Sequence, residues 1–297
     1  MKNAFLILNP KAGQSRFPGL VLADIDKELY THGIECDIAF TRDVGDGARL
    51  AAKAIDRGYD IIIAGGGDGT VNDVANGMVG SGAPLGILPI GTVNVLARDL
   101  GISLDLAAVI RTISHGRVRN IDLGCADGKY FTLMVGLGFD AEVISNVLQP
   151  VKDWIGASAY IFKGLETLAW YQATDITLIM PDQTYSSQAF LVIVANVSRY
   201  SFHLRVTPDA SPEDGLLDIC VFERPFTDRF GFMHQVADLF IDRHLEHDSV
   251  KSFRTPWVKI ESEPEIMVQV DGDPFGMTPV DIRVIPGALS VIVPETI

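Results

Sequence analysis

The apolar run Ile61-Ile62-Ile63-Ala64 leads directly into Gly65-Gly66-Gly67-Asp68-Gly69-Thr70, and this junction constrains the chain more than any other feature. A backbone without Cβ atoms approaches an anion closely and adopts positive φ at little cost, so several N–H groups converge on one phosphate. Val71, Val74, Ala75 and Met78 follow at helical spacing, which aims a helix N-terminus at the same anion. A carboxylate in that turn repels phosphate unless it acts through a cation such as Mg²⁺, or fixes the loop or a hydroxyl, so Asp68 narrows the chemistry. The segment reads as a site for a nucleotide triphosphate.

Two familiar fingerprints are excluded. G-x-G-x-x-G begun at Gly65 needs a glycine where Thr70 stands, and begun at Gly67 it needs one at Asn72. Asn9-Pro10-Lys11-Ala12-Gly13 lacks the spacing of a Walker loop. The competing reading is an Asp-Gly hairpin, since such pairs recur at Asp46-Gly47, Asp127-Gly128, Asp214-Gly215 and Asp271-Gly272. Against it, the residues after Thr70 do not alternate as a strand would.

With 297 residues the chain has room for two domains. Its net charge of −14 argues against nucleic acid as the main partner and against strong electrostatic anchoring to anionic lipid heads. Cys36, Cys125 and Cys220 are isolated and odd in number, which suits buried thiols in a reducing compartment. Only five apolar residues separate Asn3 from Asn9, so the start reads as a strand and not a signal peptide. No apolar run reaches the ~20 residues that span a bilayer. The expected location is cytoplasmic.

Up to about residue 123, short apolar strands alternate with helical patterns, the signature of a Rossmann-like layered α/β domain. Ala4 to Leu8, Glu35 to Phe40, Ile61 to Ala64 and Leu85 to Leu88 read as strands; Leu22, Ile25 and Leu29, then Leu50, Ala51, Ala54 and Ile55, read as helix faces. Asn9 to Lys11, Gly65 to Thr70 and Gly91-Thr92 all follow strands, and ligands of such sheets bind beyond the carboxyl ends of strands. From Gly124 the texture turns β-rich. Phe131 to Val135, Ile176 to Met180, Phe190 to Val194, Leu217 to Phe222, Val258 to Glu261, Ile266 to Val270, Ile282 to Ile285 and Leu289 to Val293 read as strands. Ala157 to Trp170 and Phe230 to Phe240 read as helices. This half is expected to be a β-sandwich.

Taken together, the segments Asn9 to Gly13, Gly65 to Val74, Leu88 to Asn94, Gly136 to Ala141, Asp214 to Asp218 and Val270 to Pro274 resemble the diacylglycerol kinase catalytic family. The likeness is to the bacterial YegS-like soluble lipid kinases related to sphingosine kinases, and it runs through nearly the whole chain. NAD kinases and phosphofructokinases share the glycine loop, whereas Gly91-Thr92-Val93-Asn94 and Asp271-Gly272-Asp273 look like the lipid kinases.

The resemblance implies a nucleotide-binding α/β domain over residues 1–123, to which 286–297 return, and a β-rich lipid-substrate domain over 124–285, with ATP in the cleft between them. It implies a kinase that moves the γ-phosphate of ATP to a lipid hydroxyl at a membrane surface, with Mg²⁺. Asn9, Lys11, Thr41, Gly65, Gly66, Gly67, Asp68, Gly69, Thr70, Val71, Asn72 and Thr92 are the implied nucleotide residues, with Arg16 a further cation on the first loop. The implied metal ligands are Ser211 and Leu216 through main-chain oxygens and Asp214 through its carboxylate; the alternative for Asp214-Gly215 is a plain turn. The implied catalytic carboxylates are Asp273, Asp68 and Asp122, and for Asp122 the alternative is a strand-terminal turn residue. Asp273 stands where relatives carry glutamate, and Asn94-Val95 where they carry Asn-Asp. Rival readings are a kinase of NAD or another small alcohol, and a non-catalytic nucleotide- or lipid-binding protein.

Two further features have bland readings. Ile155, Tyr160, Phe162, Leu165, Leu168 and Trp170 form a stripe that suits either core packing or a lipid face. His244 and His247, among Asp242, Glu246 and Asp248, suit a solvated helix end better than a metal cluster.

Overall fold

A computed structural model describes residues 1–12, 22–146, 167, 171–201 and 204–295. The expected helix Ala157 to Trp170 with its stripe lies outside these residues, Thr167 excepted, as does Arg16. The chain divides into two compact units, one of Met1–Leu123 with Ile285–Ile297, the other of Gly124–Val284.

The first unit runs β1 (Lys2–Leu8), α1 (Leu22–Thr31), β2 (Ile34–Phe40), α2 (Asp46–Asp56), β3 (Ile61–Gly66), α3 (Asp68–Asn76), β4 (Leu85–Pro89), α4 (Val95–Asp99), α5 (Leu106–His115) and most of β5 (Arg117–Ala126). β1 lies between β2 and β3, and β4 follows β3, all parallel. Residues Ala4 to Leu8, Ile61 to Ala64 and Leu85 to Leu88 are buried without alternation, as parallel strands covered on both faces must be. Helix starts are set by carboxylates: Asp105 caps α5 through Ala108 N at 3.0 Å, and Asp73, from α3, accepts Gly47 N of α2 at 2.7 Å.

The second unit continues with β6 (Lys129–Phe131), β7 (Met134–Gly138), α6 (Phe139–Asn146), β8 (Thr174–Ile179), β9 (Thr184–Ala195), β10 (Arg199–Ser201), β11 (Leu204–Arg205) and β12 (Leu217–Glu223). It ends with α7 (Arg229–Leu239), β13 (Val250–Thr255), β14 (Trp257–Glu263), β15 (Met267–Val270), β16 (Asp273–Met277) and the start of β17 (Val280–Val293). It is an antiparallel β-sandwich. β9 is its axis, pairing with β8 through its first half, with β7 through its second, and with β12 on its other side. Period-2 burial supplies the core: Ile176 and Leu178, Val192 and Val194, Ile219 and Val221, Val258 and Ile260, Val268 and Val270, Val280 and Ile282. Along α7, Phe232, Gln235 and Leu239 face inward while Phe230 and Met233 are exposed, as are Phe226, Phe240 and Ile241 on either side. Among the described residues no helix is long and apolar enough to cross a membrane.

Several expectations are corrected. Phe131 to Val135 is two strands with a break at Thr132-Leu133. Ile282 to Ile285 and Leu289 to Val293 are parts of one strand, β17, which carries Pro286-Gly287 in its middle with Gly287 at φ 58°. β5, β13 and the short α4 are elements the reading did not anticipate. His244 is not on a solvated face: it is 1% exposed, its Nε2 pairs with Val206 O at 2.8 Å, and its ring stacks on Phe222.

Candidate functional site

In the first unit, the loops after β1, β3 and β4 are tied into one cluster. Asn9 N donates to Gly65 O at 2.9 Å, and Asn9 Nδ2 to Thr70 Oγ1 at 3.3 Å, so the first loop is pinned to both sides of the glycine turn. Asn9 Oδ1 accepts Lys11 N at 3.0 Å, which folds the first loop into an Asx turn. Thr41 N donates to Leu8 O at 3.0 Å and brings the end of β2 alongside.

The loop after β4 is locked on the other flank. Gly91 N donates to both Gly66 O and Asn94 Oδ1, at 3.1 and 3.0 Å. Asn94, itself at φ 56°, sends Nδ2 to Pro89 O and Gly91 O at 3.1 and 2.9 Å. Gly91 lies so close to Gly67 that a Cβ there would strike the Gly67 backbone, which fixes its identity by space alone.

Asp68 joins the two loops. Its Oδ1 accepts Leu96 N at 3.1 Å, and the Val95 and Asn94 amides also hydrogen-bond to its carboxylate. Burial pushes the Asp68 carboxyl up, and these amides pull the other way. Of the roles open to this carboxylate, fixing the loop is the one its contacts display. The missing signal was Val95: in the fold it is a buried first residue of α4, within the stretch of amides that Asp68 holds.

The other implied nucleotide residues fall on this cluster in two layers. Gly65, Gly66, Val71 and Asn72 are buried behind it; Lys11, Gly69 and Thr92 are exposed. The first layer is rigid support, and the second leaves an exposed cation, a backbone N–H and a hydroxyl at the strand ends.

Asp122 is not a turn residue. It sits within β5, 3% exposed, and accepts Gly287 N of β17 at 2.7 Å, so it fastens β17 where Pro286-Gly287 interrupts the ladder.

In the second unit, Asp271-Gly272 forms the two-residue turn between β15 and β16, with φ of 49° and 84°. Positive φ at both positions is what such a hairpin turn demands. The Asp271 carboxylate accepts Thr132 N, Thr132 Oγ1, Leu133 N and Met134 N at 2.8 to 3.0 Å. This explains the break between β6 and β7, because a side chain takes the amides a neighbouring strand would otherwise take. Burial pushes the Asp271 carboxyl up to about 6 against the pull of these donors. Asp273, the residue after Gly272, is exposed.

At the implied metal turn, Asp214 Oδ1 accepts Leu216 N at 3.0 Å and Oδ2 pairs with Arg254, whose Nε also reaches Asp218 at 3.1 Å. A guanidinium thus already balances this carboxylate. A magnesium ion held by Ser211, Asp214 and Leu216 would share the Asp214 carboxylate with Arg254 and the Leu216 amide.

Residues 3–126 match the family "diacylglycerol kinase catalytic domain", and residues 133–293 match the "YegS C-terminal NAD kinase beta sandwich-like domain". A diacylglycerol kinase of Staphylococcus saprophyticus is 28% identical over 100% of this chain and 97% of its own length. That of Bacillus subtilis is 29% identical over 99% and 97%. A "probable lipid kinase YegS-like" of Pseudomonas savastanoi is 31% identical over 99% and 94%. A Bacillus anthracis crystal structure superposes with a TM-score of 0.82 at 26% identity, covering 98% of this chain and 95% of that one.

Proposed function

The chain belongs to the diacylglycerol kinase catalytic domain family with its YegS-type C-terminal sandwich, and from that premise we propose that it transfers the γ-phosphate of Mg-ATP to a lipid hydroxyl. The observation that carries this reading is the interlocked loop cluster at the carboxyl ends of β1, β3 and β4. There Asn9, Thr70, Asp68 and Asn94 hold a glycine turn in place for a phosphate chain. The names of the relatives support a lipid alcohol as acceptor, with diacylglycerol the first to test. The exposed apolar row along α7 suits a protein whose second substrate is not free in water.

Phosphoryl transfer asks a protein mainly to position its reactants and neutralise charge. In this reading the backbone from Gly66 to Asn72 cradles the phosphates, Lys11 offsets their charge, and Thr41 and Thr92 line the nucleotide. Asp68 acts on the reaction by fixing the loop. Asp273 accepts the proton of the lipid hydroxyl as its oxygen attacks the γ-phosphorus and the bond to the β-phosphate oxygen breaks, releasing ADP. Asp122 supports the strand beneath. Magnesium enters as the partner of ATP.

The test is transfer of labelled γ-phosphate from Mg-ATP to a total lipid extract, with NAD offered in parallel as a soluble acceptor. One labelled lipid with wild-type protein, lost in Asp273→Asn, is the expected result; label on NAD alone, or none on any acceptor, refutes the assignment. Gly91→Ala gives a second check. Its methyl group is forced onto the Gly67 backbone, so affinity for Mg-ATP by calorimetry should fall by about tenfold or more, in keeping with an ångström-scale displacement of positioning groups.

A further inference from the structure

One buried polar chain in the second unit touches none of the residues assigned to phosphate or proton transfer. Gly136 to Asp140 carries its first member: Asp140, on the first turn of α6 and 8% exposed, accepts Gln269 Nε2 at Oδ2 at 2.8 Å, while Tyr200 donates its hydroxyl to Oδ1. Gln269, 1% exposed in β15 between the core residues Val268 and Val270, uses its remaining group to accept Gly272 N at Oε1 at 2.7 Å. A Cβ on Gly136 would strike both the Asp140 carboxylate and the Gln269 amide, so the backbone opposite is kept bare to admit this pair.

A buried amide and a buried carboxylate each cost stability unless fully hydrogen-bonded, and an apolar pair would be cheaper here. What the chain of bonds reaches is specific. It ends on the amide of the second turn residue, immediately before Asp273. The first turn residue, Asp271, is anchored by its own carboxylate on Thr132 to Met134, and Gln269 holds the second, so the exposed Asp273 stands on a turn fixed from two sides.

We propose that Asp140 and Gln269 are positioning residues for Asp273, setting the orientation of its carboxylate through the Gly272 amide. This rests on the reading in which Asp273 takes the lipid proton. An aspartate is shorter by one methylene than a glutamate, so Asp273 has less reach to absorb an error in the turn.

The experiment compares wild type, Gln269→Met, Asp273→Asn and the double variant as full-length proteins. Turnover is read with Mg-ATP and dioleoylglycerol in detergent micelles, and amide exchange at Gly272 by NMR. Gln269→Met keeps the volume and removes both bonds. It should lower kcat by about tenfold or more and leave the KM for Mg-ATP within about twofold. It should add no further loss to Asp273→Asn, and it should speed exchange at Gly272. Losses that multiply in the double variant, or a raised KM for Mg-ATP at unchanged kcat, overturn the proposal. Asp140→Asn, of the same shape, serves if Gln269→Met does not fold. If no form phosphorylates lipid, the proposed function fails and Gly272 exchange alone decides: faster exchange in either variant supports the coupling, and unchanged exchange refutes it.

Discussion

Asp271→Ala is expected to lower the unfolding free energy by about 4 kcal/mol, the largest single-residue stability effect that we predict for this protein. The substitution removes the acceptor of three main-chain amides and one hydroxyl at Thr132 to Met134, residues that are 1 to 6% exposed. Each buried N–H left without a partner costs about 1–3 kcal/mol, and the Thr132 hydroxyl is free to turn elsewhere. Within this segment Thr132 and Leu133 lie between β6 and β7, outside either strand. Its carbonyls are already taken: Thr132 O by Asn196 Nδ2, Leu133 O by Asn196 N and Met134 O by Asp271 N. Asp271→Asn should fall between, since its oxygen accepts only part of this set while its NH₂ group confronts other donors. Urea unfolding of the three proteins checks this; a loss below about 1 kcal/mol in Asp271→Ala would mean that water replaces the carboxylate.

Asp273→Asn is expected to reduce turnover by about 10²–10⁴-fold, the usual worth of a positioned general base. Stability and Mg-ATP affinity should stay near wild type, because Asp273 is exposed and the glycine-loop cluster belongs to the other unit. Asp273→Glu is the informative companion. It keeps the carboxylate but places it one methylene farther from a turn held by Gln269 and Asp271. If the turn is set for the shorter side chain, Glu should be slower than Asp. Steady-state kinetics with calorimetric ATP binding distinguishes these outcomes, and undiminished turnover in Asp273→Asn would remove this residue from the chemistry.

The α/β half and the sandwich half were legible because their signals are local. Ile61 to Ala64 is a continuous apolar run, as a covered parallel strand requires, and Ile176, Leu178 and their partners alternate as a sandwich strand should. Three of the failures involve partners distant in sequence. Phe131 to Val135 has the composition of one strand, and only Asp271, 139 residues beyond Thr132, explains why it breaks. Pro286-Gly287 reads as punctuation, yet Asp122 takes the Gly287 amide and the strand continues. His244 reads as polar surface by its neighbours, while Val206 and Phe222 make a buried seat for it. For the site, the residue types around the glycine loop were readable, but the grip of Asp68 on the start of α4 and the Asp140–Gln269–Gly272 chain depend on geometry that no spacing rule encodes.

The β17 strand has a consequence for how this protein is made. Its last portion belongs to the first unit: Val291 pairs with Leu85, Ser290 Oγ donates to Asn120 Oδ1 at 2.8 Å, and Ala288 O accepts Gly80 N at 3.3 Å. A ribosome working at about 5–20 residues per second therefore releases the glycine-loop unit without one of its strands and must translate the whole sandwich before that strand arrives. Until then the outer edge of β4 is an open ladder of N–H and C=O groups, a template for pairing with other nascent chains. Vectorial synthesis thus has the glycine-loop unit emerge before the sandwich and reach completion after it, and that interval is where chaperone demand should concentrate.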